Sequence, residues 1–212
     1  MLAPIIQSLL WTSLASIALP QQIPAPADLE TQLDLWSSEL TAPPPPSGLT
    51  KPVDPWDDTV EGHHLSISSY DQPTVQRRVA LDFLENLRQY IIEALRDIRR
   101  HQSKEKLPDP DFVGGRLRYN DPVHKISVGL IPVETPPPAP GPFVPLKFSQ
   151  IIAVGRMLVR WVSTYAEMNN VPSAKLRLFE GGTDDKNIVA TGSIICGLTD
   201  VIAYSRLEES WF

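Results

Sequence analysis

The sequence predicts an α+β fold, a two-layer sandwich in which two helices cover a four-stranded antiparallel sheet. Two observations carry that expectation. Two long segments place apolar residues at helical spacing, and each is followed by two short runs that alternate with a period of two. The order helix, strand, strand thus occurs twice, as tandem α-β-β units, and matching by position sets Leu117 against Leu176, Arg118 against Arg177 and Gly129 against Gly192.

In the first unit, Val79, Phe83, Leu87, Ile91, Ala94, Leu95 and Ile98 form one apolar stripe. Asp71 is placed to cap this helix and Pro73 suits its first turn. Arg96, Arg99 and Arg100 gather at the other end, where the helix dipole favours cations. Lys104 and Lys106 extend that basic patch, which Glu93, Asp97 and Glu105 interrupt. After the loop LPDPDFVGG, Leu117 and Tyr119 alternate with Arg116 and Arg118. Ile126, Val128 and Leu130 then alternate with Lys125, Ser127 and Gly129. Asn120, Asp121 and Pro122 supply the turn between them.

The second unit follows TPPPAPGPFVP, residues 135–145, a proline-dense stretch expected to be an extended connector. Ser149 is the expected cap of a helix whose stripe is Ile151, Val154, Leu158, Trp161, Val162 and Tyr165. The runs AKLRLFEGG and NIVATGSIICG make its hairpin, turning through Thr183, Asp184, Asp185 and Lys186. An isolated hairpin is marginal in water, so the two are expected to pair into one sheet with both helices on its apolar face. The lone Cys196 shares a strand face with Ile194 and Ala190, which predicts a buried, inert thiol.

Composition divides the chain. Residues 1–18, MLAPIIQSLLWTSLASIA, carry no charged side chain, and Ser16 and Ala18 stand at the small-residue positions of a cleavage site, the pattern of a secretory signal peptide. Residues 19–71 are proline-rich, with nine acidic residues against the single Lys51, and read as a largely disordered tail. Within the tail, Leu29, Leu33, Trp36 and Leu40 lie at helical spacing behind Asp28, which predicts a short helix over 28–40 that exists only when docked. Residues 72–212 form the α+β domain and carry a net charge of +2, so tail and domain are expected to attract each other.

Chemistry is weakly marked. The chain has no phosphate-binding glycine loop, CxxC pair, HExxH helix or G-x-S-x-G elbow, and no cofactor or metal is expected. His63 and His64 beside Asp57, Asp58 and Glu61 have the residue types of a metal cluster but sit on the tail, a poor preorganised site. Asp184 and Asp185 lack the ligand spacing of a calcium loop. His124 near Asp121 has the composition of a general-base pair, and Glu180 ends a strand beside the second turn.

Alternation offers a clearer feature. With helices on one sheet face, Arg116, Arg118, Lys125, Lys175 and Arg177 are expected on the other, a basic surface for acidic chains. The expected protein is therefore secreted and non-enzymatic, binding a protein or cell-surface polysaccharide through its sheet face and hairpin loops. A small secreted hydrolase, its site assembled only in three dimensions, is the alternative. Nucleic acid is not expected of a chain with net charge −6 and no nucleic-acid motif. A monomer is expected, without membrane contact after signal cleavage, its sheet edges guarded by charge and by Pro132.

Overall fold

A computed structural model describes residues 28–43, 53–101, 108–133, 144–166, 168–181, 183 and 187–197. Its elements are α1 (Leu29–Thr41), β1 (Trp56–Val60), β2 (His63–Gln76), α2 (Arg77–His101), β3 (Leu117–Asp121), β4 (Ile126–Pro132), α3 (Phe148–Ser163), β5 (Asn170–Glu180) and β6 (Ile188–Cys196). The α+β class stands, with six strands among the described residues where four are expected, and with the short helix of residues 28–40 docked beside the two expected over the sheet. Among the described residues the sheet is antiparallel and six-stranded, in the order β1-β2-β5-β6-β4-β3.

Four consecutive strands, β5-β6-β4-β3, of which β3 forms one edge of the sheet, are the two expected hairpins, joined through β4 and β6 with Val128 opposite Ile194 and Leu130 opposite Gly192. That contact is close. A Cβ on Gly192 would fall 1.9 Å from the Gly129 carbonyl oxygen, so the second glycine of the matched pair is required by the approach of the neighbouring strand.

The other two strands come from the segment expected to be tail. Leu65 and Ile67 of β2 lie opposite Leu178 and Leu176 of β5 and are fully buried, and β1 then pairs along the outer edge of β2. The boundary expected between residues 71 and 72 thus falls inside β2. Asp71 and Pro73 belong to this strand, not to a helix start. The pairing register shifts between Ser69 and Thr74, an irregularity that accommodates a proline lacking a ladder donor, and α2 begins at Arg77. β4 is interior, so Pro132 guards no edge; it ends the strand opposite Ala190.

The helix predicted over 28–40 spans Leu29–Thr41. Asp28 caps it by accepting from the Thr31 backbone N–H at 2.9 Å. It packs on α3 and α2, outside the layer that covers the sheet, so the molecule has a third layer where two were expected. α3 explains the need. Every residue from Gln150 to Val159 is buried, and a helix apolar on all sides must be covered on all sides. The sheet and α2 cover part of α3, and α1 closes the remaining side, meeting it at Gly155.

The interlock is steric. Trp36 is fully buried, and a Cβ on Gly155 would lie 1.9 Å from its ring. Electrostatics seals the rim of this contact. Arg156, only 6% exposed, donates to Glu39 at 2.9 Å and to Glu61 at 3.1 Å, while Arg160 donates to Glu39 at 2.8 Å and to Asp58 at 3.1 Å. Arg88 donates to the Leu33 carbonyl at 2.9 Å, and Arg99 of the expected basic patch pairs with Glu30. Acidic residues expected in the tail thus neutralise arginines of the helix layer. Burial works against the Arg160 charge, but Glu39 and Asp58 outweigh it and raise the guanidinium pKa further.

The start of α3 also differs from expectation. Lys147 is the N-cap residue, and Ser149 is not itself the cap. Asp109, in the preceding loop, accepts from the Ser149 backbone N–H at 3.1 Å and from its hydroxyl at 2.7 Å, while Gln150 accepts from the Lys147 N–H at 2.9 Å. No helix among the described residues is long and apolar enough to cross a membrane. Residues 1–27, with the expected signal peptide, lie outside the described residues, as do Lys104, Lys106, the connector up to residue 143, Asp184 and Asp185.

Removing the Trp36 ring leaves a large void against α3, so Trp36→Ala is expected to cost roughly 3–5 kcal/mol in urea unfolding. Gly155→Ala should also destabilise, since the added methyl and the ring cannot share the space. Losses below about 1 kcal/mol in both variants would show that α1 is not integral to the fold.

Candidate functional site

Alternation along the strands gives the sheet two chemically different faces. Leu65, Ile67, Leu176, Leu178, Ile194, Val128, Leu130 and Leu117 face the helices. Ser66, Ser68, Lys175, Arg177, Thr191, Ser193, Ser127, Gly129 and Arg118 occupy the alternate positions on the open face.

The register arranges the predicted cations in two rows. Arg118 on β3 stands opposite Gly129, Gly129 opposite Ser193, and Ser193 opposite Lys175 on β5. One step along, Ile131, Thr191 and Arg177 form the parallel row. Arg116 precedes β3 in extended backbone (φ −146°, ψ 148°) and continues the same alternation, level with that second row. Each row therefore holds a cation at either end, three strand spacings or about 14 Å apart, and the rows are about 7 Å from each other. Arg116, Arg118 and Arg177 are exposed and Lys175 is half-buried.

Lys125 does not join them. It ends the β3-β4 turn with φ 56°, outside both strands. Toward β1 the second row continues through Ser66 to Asp57, which pairs with His64 at 3.3 Å, so the cationic strip is bounded by an acid. His64 also lies edge-on to Phe179, with ring centroids 5.5 Å apart, and makes a 3.1 Å hydrogen bond with the Thr59 hydroxyl.

His63 and His64 sit at adjacent strand positions and face opposite sides of the sheet, which parts the two histidines whose residue types resemble a metal cluster. No group of three or more His, Cys, Asp or Glu residues among the described residues has a metal-binding arrangement. His63 instead borders a cavity of about 660 Å³ between the N-terminal ends of α1 and α3, together with Glu180, Asp109, Gln150, Leu29 and Pro145. Its Nδ1 is buried without a hydrogen-bond partner among the described residues, and Glu180 lies directly opposite His63 across the β2-β5 ladder. Burial lowers the His63 pKa, against the upward pull of Glu180, Asp109 and Glu61.

The cavity was not legible from spacing, because it joins residues from segments read as tail, loop and second hairpin. Asp109 and Ser149, for example, are separated by 40 positions. The floor of the cationic strip, Gly129, Ser193 and Thr191, was also missed, although its alternation was visible once the strands were placed.

His124 and Asp121 do meet, with the Nδ1 2.7 Å from the carboxylate, but they form a turn lock. His124 lies within the turn, before β4 begins at Ile126. Asp121 also accepts from Asn86 at 2.9 Å and from the backbone N–H groups of Val123 and His124 at 2.9 and 3.1 Å. Burial alone would raise its pKa, but the bonds from Asn86 and His124 prevail and hold it at about 2. Cys196 is buried, and burial pushes its thiol up to about 12, which leaves it protonated and unreactive at neutral pH.

A depressed carboxylate pKa contributes stability that is complete above the ordinary value of 3.8 and is lost as pH falls toward 2. Asp121→Asn should therefore lose on the order of 2 kcal/mol at neutral pH and show a flatter stability profile over that acidic window. Urea unfolding as a function of pH reads both effects; a profile identical to that of the parent chain would remove Asp121 from this role.

No protein-family model, no curated protein and no solved structure matches the chain.

Proposed function

We propose that this chain is a secreted, non-enzymatic binding protein that holds an acidic cell-surface partner on the open face of its sheet. The observation that carries the reading is the register that brings Arg116, Arg118, Lys175 and Arg177 into two level rows on the face that no helix among the described residues covers. A flat surface bearing ordered cations attracts polyanions and orients them, and small neighbours such as Gly129 and Ser193 let a chain approach the backbone.

The charge pairing of the other layer supports the same reading. Glu30, Glu39, Asp58 and Glu61 are engaged by arginines of the helix layer, away from this face. Export by residues 1–18, a monomeric state and the absence of cofactors and nucleic acid from its activity belong to the same proposal. A small hydrolase is the second reading. It rests on the cavity beside His63, whose low pKa keeps the imidazole neutral near pH 7 as a general base requires.

Immobilised polygalacturonate is the direct probe, with uncharged agarose as control. The parent chain should be retained at low salt and released by high salt, and Arg118→Glu combined with Arg177→Glu should weaken retention by about tenfold or more. Unchanged retention with unchanged salt dependence would end the binding-face reading. For the second reading, chromogenic ester, glycoside and phosphoester substrates are tested against the parent chain and His63→Ala. Turnover abolished by the substitution would establish a hydrolase, and no turnover by the parent would remove it.

A further inference from the structure

We infer that the acidic partner is a linear carboxylated polysaccharide lying across the strands, from β3 to β5; this rests on the binding reading above. Orientation follows from what lies between the cations. A chain running along one strand meets two cations about 7 Å apart and leaves the hydroxyls of Ser193 and Thr191 uncovered. Crossing the strands, the same chain meets a cation at each end of a span of about 14 Å and covers that floor. In the first row the floor is Gly129 and Ser193, whose small size forms a shallow trough between Arg118 and Lys175.

The chemistry of the trough selects among polyanions. Sugar hydroxyls pair with serine and threonine hydroxyls, and carboxylates of the polymer reach the arginines and lysine. Single-stranded nucleic acid binds by stacking its bases on aromatic rings, and Gly129, Ser193, Ile131 and Thr191 offer none between the cations. An extended acidic peptide gains its affinity by adding a strand at an edge, whereas these cations stand on a face.

Length dependence tests this. Digalacturonate is shorter than the span and hexagalacturonate exceeds it, so calorimetric titration of the full chain should show the hexamer binding about tenfold tighter, after correction for its larger number of registers. Ser193→Tyr fills the trough without changing charge. It should abolish the hexamer's advantage over the dimer, with thermal melting checking the fold. Thr191→Tyr in the neighbouring row is the second variant should Ser193→Tyr not fold.

Equal affinities for dimer and hexamer, or an unaltered hexamer advantage in the tyrosine variant, would overturn the crossing geometry while polymer retention still upheld the binding face. Tighter binding of hexaglutamate or of a thymidine hexanucleotide would overturn the polysaccharide assignment. Loss of retention on the polymer itself would overturn both readings.

Discussion

Trp36 against Gly155 is the contact on which the rest of the structure depends. α3 presents apolar side chains all round, so a sheet on one side leaves half of it facing water. α1 closes that half, and it approaches closely enough only because residue 155 has no side chain. A helix of 13 residues is marginal alone, so the stability of α1 comes from this docking. The buried tryptophan Nε1 has no hydrogen-bond partner among the described residues, a cost on the order of 1–3 kcal/mol that the packing of its ring offsets.

Burying α3 on both sides also buries Arg156, and a buried guanidinium must be paired. Its partners, Glu39 and Glu61, lie in α1 and in the β1-β2 turn, so the charge that the layer arrangement traps is answered by the segment that completes it. Glu30, Glu39, Asp58 and Glu61, from the acidic region before residue 72, thus pair with arginines that follow it. Electrostatic attraction between the two regions was legible in composition, but its site was not. The pairs form on the helix layer, which leaves the cation rows on the opposite face of the sheet.

The periodicity of two and of 3.6 made the hairpins, α2 and α3 legible, because each follows from which side chains must leave water. Asp28 and the leucine spacing behind it likewise marked α1. β1 and β2 were hidden by their composition: WDDTV and HHLSISSYDQPTVQ hold few apolar residues, and their strand state comes from tertiary pairing, of β2 with β5 and of β1 with β2. Proline density before residue 56 masked this further, since a local reading weighs prolines equally wherever they fall. The apolar back of α3, with Ile152, Val159 and Gly155, signalled a third layer, yet a stripe search counts only the best face. At the site, alternation sufficed for Arg118, Lys175 and Arg177, whereas Lys125 was misplaced because its left-handed backbone ends the alternation one residue early.

The claim that the N-terminal acidic segment is structural, and not a separable tail, is tested most directly by comparing urea unfolding of the full chain with that of a chain beginning at Val53. The account predicts that the shortened chain exposes α3 and unfolds at much lower urea, or lacks a cooperative transition altogether. An unchanged midpoint and slope would contradict it, because α1 would then contribute nothing to the fold.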